Sequence, residues 1–190
     1  PRWQIVVWIG FFTGMRPSEV LGLTWDRLDF ENQEITVDRQ LSRDSKKIFA
    51  DHLKTSKSYR KIPFSPYLQR LLLEHRDQHG LGPHGLILQN RSGNVWRYKD
   101  ASAMFRLIAR PLGFDKGEGM HQLRHTCASV LIKLGNNAKQ IQEWLGHESI
   151  LETMDTYGHL FPRDLHEVSE RLDAYVVGQL QIQHEQRMLA

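Results

Sequence analysis

The chain has 190 residues, with 25 basic and 22 acidic side chains, 40% hydrophobic residues and a single cysteine, Cys127. This is ordinary globular composition, enough for one domain or one domain with a small appendage, and it excludes wholesale disorder. It also excludes an intramolecular disulfide and a cysteine-built zinc finger, and no stretch approaches the roughly 18–20 apolar residues of a membrane span.

The opening segment, PRWQIVVWIGFF, lacks a basic leader and a small-residue cleavage site, so residues 3–13 read as a buried helix stopped at Gly14. That apolar run starts close to the first residue, which suggests a chain cut from a longer protein. Pro17 suits the first turn of a short second helix, PSEVLGL. The period then changes. EITVDRQL, KKIFADHL and YRKIPF alternate and carry β-branched or aromatic residues, predicting three short antiparallel strands. Ser65 and Pro66 are the N-cap and first turn of a helix through PYLQRLLLEHRDQH. Residues 80–97, rich in Gly, Pro, Asn and Ser, form an extended connection, and residues 99–110 return to helix. HQLRHTCASVLIKL is a helix closed by Gly135, and NAKQIQEWL is one closed by Gly146. Ser149 with Glu152 makes a capping-box pattern before SILETMDTY, and Asp164 with Glu167 repeats the signal before a terminal helix striped by Leu165, Val168, Leu172 and Val176. The expected class is mainly α with a small three-stranded antiparallel sheet.

The formal net charge of +3 conceals an uneven distribution. Residues 39–70 hold nine basic and two acidic side chains, a local +7, whereas residues 1–38 are net −3. A basic block of this kind is either a solvated face or a surface for a phosphate backbone. The candidate DNA contacts within it are Lys57, Arg60 and Lys61. There is no Walker A loop, no GxGxxG and no GxSxG. His121 and His125 have the i, i+4 spacing of a metal pair, but Gln122 stands where a zinc protease needs Glu, so His125 reads as a buried structural histidine.

Four segments carry the chemistry together: TGMRPSEVLGL (13–23), LKTSKSYRKIP (53–63), HQLRHTCAS (121–129) and LGHESILETMDTYGHL (145–160). In order and spacing they resemble the catalytic domain of the tyrosine recombinases, the phage integrase family, over about residues 3–175. The gap from His147 to Tyr157 is ten residues here and nine in many members. The resemblance implies the DNA breaking-rejoining fold and a site made of Arg16, Lys54, His121, Arg124, His147 and the nucleophile Tyr157, buttressed by Glu19. Lys54 is preferred to Lys57 for the hairpin lysine because it precedes Thr55.

In the chemistry so implied, a tyrosine oxygen attacks a DNA phosphodiester and the 5′ oxygen leaves. Charge grows on the non-bridging oxygens, which two planar, permanently charged guanidiniums suit. Tyrosine titrates near 10 and needs a base, for which His121 is the candidate, and Lys54 would protonate the leaving alkoxide. The 3′-phosphotyrosine conserves the ester bond, so neither ATP nor a metal cofactor is implied. Further implications are double-stranded attachment sites as partner, a homotetramer on DNA, a host integration factor or excisionase, and a cytoplasmic location at the nucleoid. Residues 1–190 would be the catalytic domain, with about 165–190 a terminal helix and tail packing in cis or on a neighbouring protomer. Core-binding and arm-binding domains would lie outside this chain. A type IB topoisomerase and a catalytically inactive DNA-binding module are the alternatives.

Overall fold

The computed structural model describes residues 3–44, 46–113, 119–162 and 164–188. It divides into two compact units, residues 1–160 and 161–190. In the first, α1 (Gln4–Thr13) and α2 (Pro17–Leu21) precede a sheet of β1 (Leu28–Asp29), β2 (Glu34–Val37) and β3 (Arg60–Pro63). Then come α3 (Pro66–His79), α4 (Tyr98–Ala109), α5 (His121–Lys133), α6 (Ala138–Leu145) and α7 (Ile150–Tyr157). The second unit holds α8 (Leu165–Met188).

The helices follow their caps. The Ser65 hydroxyl accepts from the Leu68 N–H, with Pro66 at the first helical position. The Asn137 side chain accepts from the amides of Lys139 and Gln140, opening α6. The Ser149 hydroxyl accepts from the Glu152 amide, but the Glu152 carboxylate reaches back to Glu148 instead of Ser149, so the capping box is half formed. Asp164 accepts from the amides of His166 and Glu167 at the start of α8.

The sheet has three antiparallel strands in the order β1-β2-β3. β2 and β3 lie within two of the expected segments, and the third member differs from expectation. KKIFADHL is not a strand: Leu41 and Phe49 make one isolated bridge, and residues 48–50 are only half-buried, so no apolar face exists to fix a strand there. Its place is taken by β1, two residues long and without a readable period. Leu28, Ile35 and Ile62 sit side by side in the register and turn one face into the core. The basic block is therefore mostly a long excursion between β2 and β3, and of its cations only Arg60 and Lys61 lie on a strand.

The core is organised by α1, which is apolar on all sides and packs against α2, α3 and α5. Ile5, Val6 and Ile9 are buried, and Trp3, Val7, Trp8 and Phe12 lean on the same cluster. A Cβ on Gly10 would come within 2.8 Å of Leu123, so α1 approaches α5 closely where it has no side chain. In the second unit the expected stripe is exposed throughout: Leu165, Val168, Leu172 and Val176 are 78%, 51%, 63% and 46% exposed. The final two residues of the expected tail lie outside the described residues. Among the described residues, no helix is long and apolar enough to cross a membrane.

Candidate active site

Two turns create the site. α1 ends at Gly14 in the left-handed conformation (φ 61°), where a Cβ would lie 2.5 Å from Leu145. α6 ends at Gly146 in the same conformation (φ 68°), where a Cβ would lie 2.9 Å from both the Lys57 carbonyl and the Arg60 side chain. Both glycines let backbone carbonyls converge on buried guanidiniums. Arg124 donates through one terminal nitrogen to the carbonyls of Gly14 and Leu145, at 2.7 and 2.8 Å. Arg16 donates to the Gly146 carbonyl at 3.3 Å, to Ser58 Oγ at 2.9 Å and to Glu19 Oε1 at 3.0 Å. Each fork is anchored from behind and keeps N–H groups outside these bonds for an anion.

Glu19 is 1% exposed and is the counter-charge beneath the pair. Its carboxylate accepts from the Arg16 amide at 2.9 Å and from Arg60 at 3.1 Å, as well as from the Arg16 side chain. Burial alone would raise its pKa, but Arg60, by charge and hydrogen bond, and then Arg16 outweigh burial and hold the carboxyl below its ordinary value. This corrects one expectation. Arg60 is not on a solvated face for DNA: its side chain is 7% exposed and bonded to Glu19, the Trp144 carbonyl and the Ser58 carbonyl. Lys57 is exposed and lines a cavity of about 410 Å³ with Lys139 and His147, while Lys61 is exposed and paired with Glu34.

Burial, then the charges of Arg16 and Arg60, push Arg124 down to about 10, still cationic at neutral pH. His147, buried in the turn after α6, is pushed down to about 4 by burial and then Arg124, with Glu152 opposing. Its ring is neutral at pH 7, so the 3.8 Å approach of Glu152 is not an ion pair there. His147 Nδ1 meets Thr153 Oγ1 at 2.8 Å, and the tautomer in which Thr153 donates leaves the N–H on Nε2. Thr153 is fully buried on α7, the helix that ends in Tyr157.

Tyr157 is 4% exposed and its ring stacks on His147 with centroids 6.4 Å apart. Burial raises the phenol's pKa, with Arg124 opposing. The phenol bonds His125 Nδ1 at 2.9 Å. His125 is thus an exposed ring at the site, not a buried structural histidine. The bond at the phenol runs to this residue and not to His121. His121 is exposed at the first position of α5, where it lines a cavity of about 600 Å³ with Arg16, Ser18, Arg43 and Lys54. Gly158 is not a left-handed cap (φ −56°), and the chain runs on into a 3-10 turn over residues 158–160.

The structure thus gathers Arg16, Glu19, Arg124, His147 and Tyr157 around one buried cluster and sets Lys54 and His121 at a cavity opening onto Arg16. Sequence reasoning missed Ser58, His125 and Thr153. Two carried a signal: Ser58 stands in the KTxxSxR-like spacing from Lys54 to Arg60, and His125, one helical turn after His121, shares that residue's face. Burial of Cys127 pushes its thiol up to about 11, away from thiolate chemistry. Chemically, two fixed guanidiniums and a neutral imidazole can bind a phosphate, beside a protonated phenol held by a second imidazole.

The family model described as "Phage integrase family" matches residues 2–163. The ICEBs1 integrase of Bacillus subtilis (strain 168) is 28% identical over 172 residues, which cover 87% of this chain and 47% of that protein. A tyrosine recombinase XerC-like protein of Caldanaerobacter subterraneus subsp. tengcongensis is 28% identical over 193 residues, covering 90% of this chain and 49% of that one. The chain spans about half the length of these curated relatives. Among solved structures, the Tn1549 transposon integrase in complex with circular intermediate DNA superimposes with a TM-score of 0.76 at 26% identity, over 90% of this chain and 60% of that one. The catalytic domain of bacteriophage HP1 integrase gives 0.57 at 26% identity, over 90% and 82%.

Proposed function

The chain belongs to the phage integrase family, and we propose that it is the catalytic part of a site-specific DNA recombinase that cuts and rejoins strands through a 3′-phosphotyrosine. The observation that carries this reading is the convergence of Arg16, Arg124 and His147 on one cluster with the phenol of Tyr157 stacked beside it. The two guanidiniums take the growing charge on the non-bridging oxygens, and each such preorganised donor is worth about 10²–10³ in rate. His147 adds a neutral donor through Nε2. His121 joins the phosphate ligands on the Arg16 side, and Lys54 protonates the leaving 5′ oxygen from the same cavity. The phosphodiester bond is exchanged and not hydrolysed, so rejoining to another 5′-hydroxyl is close to energy-neutral.

The partner in this reading is duplex DNA at attachment sites, with Lys57 and Lys61 on the phosphate backbone. The remaining half of a longer protein would supply the clamp around the duplex, and four copies would act on two duplexes. A host integration factor or excisionase could set direction. Residues 1–160 form the catalytic unit, and the exposed apolar residues of α8 are available to a neighbouring protomer.

The test is a nicked suicide duplex carrying the attachment site, incubated with the full-length protein. A covalent protein–DNA adduct is expected from the wild type and none from Tyr157→Phe. No wild-type adduct would overturn the recombinase reading, and an adduct surviving in Tyr157→Phe would overturn the nucleophile.

A further inference from the structure

The nucleophile of the proposed reaction is protonated at rest, because burial holds its phenol above the ordinary range. Something must take that proton as the oxygen attacks. His121 lies with Arg16 and Lys54 on the cavity side, whereas the ring in contact with the phenol oxygen is His125, at 2.9 Å through Nδ1. We infer that His125 is the proton acceptor for Tyr157 in strand cleavage and its proton donor in rejoining, a role that rests on the recombinase reading above.

The surroundings fit. The neighbours facing His125 on its own helix are Arg124 and His121. From α7 it faces Tyr157, whose phenol also feels Glu152 and Arg124 and whose ring stacks on His147. The 158–160 turn, which also packs on α5, carries His159. Partial burial and then Arg124 hold the His125 pKa below its ordinary value, which favours the neutral ring at neutral pH, and in the tautomer with its N–H on Nε2 the Nδ1 lone pair can accept a proton. An imidazolium so close to Arg124 is unfavourable until an anion arrives. A phosphate bound to Arg16 and Arg124 supplies that negative charge, so proton transfer is favoured only with DNA in place.

The step balances. The phenol O–H bond breaks and its proton passes to Nδ1. The phenol oxygen bonds to phosphorus, the bond from phosphorus to the 5′ oxygen breaks, and that oxygen takes a proton from the Lys54 ammonium. In rejoining, an incoming 5′-hydroxyl gives its proton to the Lys54 amine, and the departing phenolate recovers its own from the His125 imidazolium.

The test compares full-length wild type, His125→Gln, His125→Ala and His121→Gln. Folding is checked by circular dichroism. Adduct formation is timed from pH 5 to 9 on a nicked suicide duplex built from the DNA flanking the gene. In parallel, tyrosine labelled with carbon-13 at Cζ reports the phenol without DNA, with Tyr157→Phe assigning the resonance. Glutamine keeps a polar group at the phenol but cannot take a proton. The expected result is a fall of about 10²-fold or more at pH 7 in His125→Gln. The acid-side inflection of the rate should vanish, the Tyr157 resonance should shift, and imidazole should partly rescue His125→Ala. The inference is overturned if His125→Gln keeps the inflection, whether or not the rate falls, or if His121→Gln is the variant that removes it. An unshifted Tyr157 resonance also overturns it. No wild-type adduct overturns the recombinase reading and this role together, whereas the other outcomes leave that reading standing.

Discussion

Replacing Glu19 with alanine should unfold the site from beneath. Its carboxylate, 1% exposed, stands between the Arg16 and Arg60 side chains, which are 11% and 7% exposed and 3.0 and 3.1 Å away. Removing one partner of a buried ion pair costs about 3–5 kcal/mol, because the charge left behind has neither water nor a counter-ion. Here two guanidiniums are left, so the upper half of that range is expected. At about 2–4 °C per kcal/mol for a chain of this size, the melting temperature should drop by about 8–20 °C. Glu19→Gln, which keeps shape and loses charge, should cost less. A double variant Glu19→Ala/Arg60→Met, which removes one stranded charge as well, should recover part of the loss. The dependence on pH has a definite sign. A carboxyl whose folded pKa lies below its unfolded value, about 4.3, contributes its full stability above that value. The contribution is lost as pH falls through the folded value, and Glu19→Ala should lack this part of the acid sensitivity. Urea unfolding followed by tryptophan fluorescence, at pH 7 and at stepped lower pH, measures both effects. A cost below about 1 kcal/mol at pH 7 with an unchanged denaturant slope would refute the argument, since it would mean that the two arginines are solvated.

Thr153→Val keeps the shape of α7 and leaves His147 Nδ1 without its partner at 2.8 Å. Stability should fall by about 1–3 kcal/mol, and adduct formation in the suicide assay should slow more than substrate binding weakens. Lys57→Ala should weaken binding to an arbitrary duplex and lower the slope of log affinity against log salt by about 1, measured by fluorescence anisotropy. Arg60→Ala should act chiefly through unfolding instead.

Legibility in the sequence followed the range of the interaction. Helix ends were readable because caps are local: Ser65 with Pro66, Gly146 after α6 and Gly14 after α1 each act within four residues. The sheet was readable in kind but not in membership. KKIFADHL alternates as a strand should, yet its alternate residues have no apolar layer to meet, and alternation without burial does not fix a ladder. β1 is held by pairing to β2 and by Leu28, and two residues have no period to read. In the site, Arg16, Arg124, His147 and Tyr157 were legible because their segments have an order and a spacing. The direction of Arg60 was not, because its partner Glu19 lies 41 positions earlier and the same arginine in a basic block reads equally well as a surface cation. His125 was discounted for an opposite reason: its spacing from His121 suggested a metal pair, and nothing local tells that its neighbour is a tyrosine 32 residues on.

α7 carries Thr153 and Tyr157 one helical turn apart, the first holding His147 and the second presenting the phenol. The two functions are thereby interlocked. If α7 swings away as a rigid rod, the hydroxyl leaves His147 as the phenol leaves His125, and the anion cradle loses a ligand in the same movement that withdraws the attacking group. The site in that state would keep its two arginines but have neither an oriented imidazole nor the phenol beside them. The seating of these eight residues thus sets the anion cradle and the phenol together.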